Sequence, residues 1–395
     1  MIRIIPKSTW LRLGGVWLVT ILFMLLEGAL LAELSPVTAT IAFAVLLTTI
    51  IVAAFGVVRE ADALAHKLGE PYGTLILTLS IVAIEVILIS AVMLGPGEHP
   101  TIGKDSIFSV MMIIMNLVIG LCVLVGAWRY GEQEYNAQGT MSYLGMIIML
   151  GGLGMMLPNF IQGAGGGAFT AIQAGVLSVL IILLYGLFLA FQMTRYRHLY
   201  VQPPTGSMEI LFANRHAVGM PSADAHSAAH SQTGMSPLEP TPIDRSEVLI
   251  RSLILIAMVL PIVLLSHHMA VVVDYGIAKA QLPPVLGGVL IAIIVFTPES
   301  ITAVKAAYRN EFQRAINLCH GAFVSTVGLS VPAVLLIGLL TGKTVLFGMT
   351  GTETLLFMIT VLLSVMSFLG KRTTLITGIM HLVLFAVFIL LIFNP

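Results

Sequence analysis

The chain has 395 residues, 58% of them hydrophobic and only 10% charged, against about 25% charged in an average soluble domain. That composition excludes a soluble globular protein and specifies a chain that crosses a bilayer many times. Nineteen basic residues balance nineteen acidic ones, so nothing in the charge favours a nucleic-acid partner.

In chain order, Arg3, Lys7 and Arg12 precede an apolar run over 14–32. The run is too long for the core of a signal peptide, and no small-residue cleavage site follows, so it reads as an uncleaved first span. Apolar segments long enough to cross a membrane lie near 14–33, 36–58, 71–94, 104–128, 140–158, 170–193, 248–272, 283–304, 312–339, 345–368 and 373–393. That is eleven spans in an all-α polytopic fold. The fifth is the weakest, being Gly-rich and stopped by Pro158. With the N-terminus inside, 16 of the 19 Lys and Arg residues fall in inner segments and only Lys104, Lys279 and Lys343 in outer ones. Cytoplasmic loops collect Lys and Arg, so the expected topology is N-terminus inside, C-terminus outside. Cys122 and Cys319 sit in apolar spans and read as buried small hydrophobes.

The third span carries one acid, Glu85, and the eighth carries Glu299. An acid at the centre of a span costs roughly 2.5–3.5 kcal/mol on insertion scales, so it faces the protein interior or a water-filled cavity. Each is preceded twelve residues earlier by a glycine, Gly73 and Gly287, and both pairs are offset by 214 residues. Matching frames of this kind point to an internal repeat. Spans 2–6 and 7–11 give two five-helix repeats beside an extra N-terminal helix. An odd number of spans per repeat makes the second enter the membrane inverted. The implied organisation is an extra helix over 1–35, a first half over 36–201, a linker over 202–246 and a second half over 247–395. The linker holds six prolines and His216, His226 and His230, and reads as a flexible cytoplasmic connection.

Three polar stripes recur at helical spacing: Thr74, Thr78 and Glu85; Asp105, Ser109, Met112, Asn116 and Gly120; and Asn317, Gly321, Ser325, Gly328 and Pro332. Their glycines read as close-packing positions. Pro298 precedes Glu299 and, lacking an N–H, frees the Ile294 carbonyl and kinks the helix. Carboxylates, carbonyls, amides and hydroxyls are the ligands hard cations take. Glu85 and Glu299, with Asn116, Ser325, Thr297 and the Ile294 carbonyl, form an oxygen-rich candidate site for Ca²⁺, Na⁺ or K⁺. Burial disfavours a charged carboxylate, so the same acids can carry protons. A cation and protons then compete for the same oxygens. Two protons exchanged for one divalent ion would cross nearly neutral. The bland alternative keeps both acids as structural groups paired within the bundle. Glu27 reads as interfacial or neighbour-facing. His267, His268 and His381 read as packed residues, and His320, beside the third stripe, as a candidate proton relay.

The chain resembles the calcium/cation antiporter superfamily, and within it the bacterial ChaA-type cation/proton antiporters of the CAX branch. The resemblance rests on Gly69-Glu-Pro-Tyr-Gly with Glu85. In the second half it rests on Thr297-Pro-Glu299, Ala303-Val-Lys-Ala-Ala, Asn310 to Leu318 and Gly321 to Pro332. It implies a Ca²⁺/H⁺ exchanger of the bacterial cytoplasmic membrane, with no cofactor, whose partners are inorganic cations, protons and the lipid bilayer. It places the two central acids on Glu85 and Glu299 and the helper positions on Asn116 and Ser325. Members typically read Gly-Asn-Ala before each Glu; here the triplets are Ile81-Val82-Ala83 and Val295-Phe296-Thr297. Two amide ligands are missing, which points to Na⁺ and K⁺ beside Ca²⁺. A cation channel or uniporter with an acidic midplane site is the competing reading. An intramembrane enzyme has no support from metalloprotease or nucleophile-elbow motifs.

Overall fold

A computed structural model describes residues 5–30, 34–68, 72–95, 97–162, 165–203, 245–370 and 372–394. Most of the expected linker, with its three histidines, and the Gly69-Glu-Pro part of the third-span motif lie outside the described residues. Every named element among the described residues is a helix, without a named strand. The bundle helices are α1 (Lys7–Leu30), α2 (Pro36–Leu68), α3 (Tyr72–Met93), α4 (Ile102–Tyr130), α5 (Ala137–Asn159), α6 (Ala171–Met193), α7 (Arg245–Ala280), α8 (Val285–Tyr308), α9 (Phe312–Thr341), α10 (Gly351–Phe368) and α11 (Leu375–Phe393). Ten are long and apolar enough to cross a membrane; α3 is the remaining one, with a shorter apolar stretch over Thr78–Met93. The eleven expected spans are these helices.

Local chemistry sets several ends. Thr170 and Thr350 cap α6 and α10, each in a reciprocal pair with the residue three positions on, Gln173 and Glu353; such boxes satisfy donors the first turn leaves orphaned. Helix α9 stops at Gly342, whose φ of +70° suits glycine. Helix α8 runs unbroken through Pro298.

Helices α2 and α7 have 33 and 36 residues, the longest here, and pack on each other along their length. A charge cluster, buried at Glu60 and exposed at Lys67, clamps them: Arg251 donates to Glu60 at 2.8 Å and to Glu247 at 2.9 Å, and Lys67 lies 3.0 Å from Glu247. Helix α1 is fastened to this pair. Thr9 donates to Glu60 at 3.0 Å, and the Trp17 indole donates to the Ala257 carbonyl at 2.9 Å. Glu27 meets a neighbour too, lying 3.0 Å from His268 of α7.

The two halves repeat. A π-helical turn interrupts α4 at Met112–Val118 and α9 at Thr326–Ser330; such turns are rare and recur at functional sites. Their first residues differ by 214, the offset that relates Glu85 to Glu299. Because the α3–α4 connection is short, α4 begins at the end where α3 finishes. Gly288, in the first turn of α8, packs on the backbone of Asp105 and Ser106 near the start of α4. So α8 begins where α3 ends, and the two glutamate helices run in opposite directions.

A β carbon at Gly288 would stand 2.5 Å from the Asp105 carbonyl carbon and the Ser106 nitrogen. These are backbone atoms with no rotamer to yield. Gly288→Ala is therefore expected to destabilise the protein by about 1–3 kcal/mol, read as a lower melting temperature in detergent. An unchanged melt would mean that α4 and α8 part at little cost.

Candidate functional site

Glu85 is completely buried. Its Oε2 accepts hydrogen bonds from the hydroxyls of Thr326 and Ser330, both at 2.9 Å, while Oε1 is buried with no hydrogen-bond partner among the described residues. The two donors stand at the ends of the α9 π-turn. The wider turn aims both hydroxyls at one carboxylate oxygen. Neither was singled out from the sequence, although the repeat offset pairs Ser330 with Asn116 and Thr326 with Met112.

Glu299 stands on α8, which packs against the Glu85 helix α3. Its Oε2 is buried and unpartnered. It stands at the inner wall of a cavity of about 550 Å³ that reaches Arg197, Tyr200 and Arg314 at one end of the bundle and is also lined by Thr78, Asn317 and Ser325. The two acids thus have different settings: Glu85 is held by two hydroxyls and sealed, whereas Glu299 is unanchored and faces a water-sized space. Unpaired buried carboxylate oxygens are costly unless protonated or bound to a cation.

An ion cluster stands at the opposite end. Lys104 donates to both oxygens of Glu353 at 2.7 Å and lies 3.1 Å from Asp105, which also accepts from Thr101 at 2.8 Å. Lys104 and Asp105 are only 4% and 6% exposed, so this ion cluster is inside the protein. The Gly288 contact lies beside it, and the segment after α9 crosses over it, with the Leu346 N–H bonded to the Pro100 carbonyl and Gly348 to Gly167.

The other expected ligands are placed unevenly. Ser325 lines the cavity, and its hydroxyl donates to the Ala322 carbonyl at 2.7 Å, leaving its lone pairs free. Ile294 is buried at 1% exposure, and the Pro298 nitrogen gives its carbonyl no hydrogen. Two of the expected ligands have their polar groups engaged elsewhere. Thr297 donates its hydroxyl hydrogen to the Ile293 carbonyl one turn back, at 2.5 Å, and, unlike Ser325, is not among the residues that line the cavity. Asn116 is buried, but its amide is engaged away from the glutamates: Nδ2 donates to Thr360 at 3.0 Å and to the Met112 sulfur at 3.6 Å, and Oδ1 lies 3.2 Å from His381. Methionine and asparagine at these two positions turn to each other and to α10 and α11, where Thr326 and Ser330 turn to a carboxylate. His320 packs among the rings of Tyr143 and Phe368, with Nδ1 3.3 Å from the Ile316 carbonyl and Nε2 unpartnered. Among the described residues no hydrogen bond links it to either glutamate.

The profile of the family described as sodium/calcium exchanger protein matches residues 38–194 and 251–394, most of the chain. The chain belongs to this family. The two segments of the sodium/calcium exchanger match fall on α2–α6 and α7–α11 and leave α1 outside. Membership makes the chain a cation exchanger of the membrane rather than an enzyme. It is 31% identical over 347 residues to the sodium-potassium/proton antiporter ChaA of Escherichia coli strain K12, covering 87% of this chain and 86% of that protein. Two solved structures share the fold. Native YfkE superposes with a TM-score of 0.70 at 18% identity, over 98% of this chain and 100% of that one. The H⁺/Ca²⁺ exchanger CAX superposes with a TM-score of 0.64 at 11% identity, over 97% and 88%.

Proposed function

We propose that the chain exchanges a hard cation for protons across the bacterial cytoplasmic membrane, with Glu85 and Glu299 shared between the two. One observation carries this: fully buried Glu85 and partly buried Glu299 each keep a buried oxygen without a hydrogen-bond partner among the described residues, and Glu299 lines a cavity that also reaches Arg197 and Arg314. The pair can hold protons or a cation, and an empty, doubly charged site is too costly to turn over. Ca²⁺, Na⁺ and K⁺ fit the ligand set of Glu85, Glu299, Ser325 and the Ile294 carbonyl, all oxygens. The relative ChaA is named for sodium, potassium and protons, and the triplets before each Glu lack amides, which supports monovalent ions beside Ca²⁺. Arg197 and Arg314 at the cavity mouth favour the cytoplasmic side by the distribution of basic residues. On this reading the cavity faces the cytoplasm.

Inverted vesicles with an imposed inside-acid pH gradient, followed by a pH-sensitive dye, test the reading. Addition of Ca²⁺, Na⁺ or K⁺ separately is expected to collapse the gradient, and the most effective ion names the main substrate. If no ion releases protons while ion uptake continues, the uniporter reading replaces exchange.

A further inference from the structure

The π-turn of α4 is held from a third helix. His381 of α11 is fully buried. The Asn116 Oδ1 at 3.2 Å can only accept, so His381 Nδ1 carries the hydrogen and donates; Nε2, 3.2 Å from Ser367, then accepts from that hydroxyl. Asn116 in turn donates to Thr360. A buried imidazole on an otherwise apolar helix is costly unless its nitrogens are bonded, and here both are. Helix α8, which carries Glu299, packs directly on this turn. At the α9 turn Thr326 and Ser330 bond instead to Glu85 itself.

We propose that His381 is a positioning residue for ion exchange, acting through Asn116 to fix the α4 π-turn against the Glu299 helix. This rests on the exchange reading above. His381 touches neither carboxylate by hydrogen bond; its effect is on how well the site is formed for the cation.

The test uses purified full-length protein in liposomes, with initial rates measured against the concentration of whichever of Ca²⁺, Na⁺ or K⁺ is most effective. His381→Leu leaves the Asn116 oxygen without a donor. It is expected to raise the half-saturating cation concentration roughly tenfold, the weight of one buried hydrogen bond, with the maximal rate within about threefold of wild type. His381→Asn sets an amide N–H where Nδ1–H stood and is expected to restore half-saturation. Thr360→Val, which removes the other partner of Asn116, is expected to move it in the same direction as His381→Leu. Should His381→Leu fail to fold, the Asn and Val variants decide. Unchanged half-saturation in His381→Leu and Thr360→Val, with Glu299→Gln inactive, overturns the positioning role and leaves the exchange reading standing. A fall in maximal rate and melting temperature at constant half-saturation reduces His381 to a packing residue and overturns it equally. Full exchange by Glu299→Gln removes the exchange reading, and this inference with it.

Discussion

Glu299→Gln is expected to lower cation-driven proton release by at least about a hundredfold, since even an outer partner of a metal ligand typically costs about 10–100-fold. The amide has nearly the shape of the acid but neither releases a proton nor offers a charge to a cation. Glu85→Gln is expected to be as inactive, for the same reason. The two variants should separate in stability. Glu299 has a buried, unpartnered oxygen facing a cavity, so neutralising it removes a burden and the melting temperature holds or rises. Glu85 is the common acceptor of Thr326 and Ser330, and replacing it weakens two hydrogen bonds to a charged group, at about 1.5–3 kcal/mol. Dye-followed release in vesicles and thermal melting of the same preparations check both halves. Normal exchange in either variant would overturn the shared-carboxylate mechanism. Equal melting temperatures would mean that the two hydroxyls do not hold Glu85.

The second large effect concerns the ion cluster at the opposite end. Lys104→Met is expected to destabilise the protein by about 3–5 kcal/mol, the usual cost of breaking a buried ion pair by removing one partner. Methionine fills the space of the lysine stem but leaves Asp105 and Glu353 without their cation. Glu353 also caps α10 through the Thr350 backbone N–H, so its strain passes into that helix. Combining Lys104→Met with Asp105→Asn and Glu353→Gln removes the stranded charges and is expected to recover much of the loss. Lowering the pH of the melt should shrink the gap between Lys104→Met and wild type, because protonated acids no longer need the lysine. A gap that does not change with pH would mean that packing, not charge, is what Lys104 provides.

Much of the architecture was legible in the residues. Apolar runs and the placement of Lys and Arg gave the spans, and the equal offsets of Gly73–Glu85 and Gly287–Glu299 gave the repeat and its central acids. What escaped depends on contacts between distant helices. The partners of Glu85 are 241 and 245 residues away, and only the repeat offset hinted at them. The π-turns have no signature of their own in the sequence, since packing widens the turn. Asn116 has the right chemistry for a ligand, but its amide goes to Thr360 and His381, 244 and 265 residues on. Thr297 shows the local version of the same limit: a hydroxyl in an apolar helix can always bond one turn back. Lys104 read as one of three stray outer charges, and its burial against Glu353 follows only from the fold.

At about 1.5 Å per residue, α2 and α7 are roughly 50 Å long, against a hydrocarbon core of about 30 Å. Two such rods, locked by Arg251 at one end and carrying α1 along their flank, behave mechanically as a single beam that overhangs the bilayer. Bending one without the other would break the buried Glu60–Arg251 pair. Any displacement between the beam and the helices around Glu85 and Glu299 must therefore take all three helices together. The overhanging ends sweep further than the middle, so a label placed there would magnify a small tilt.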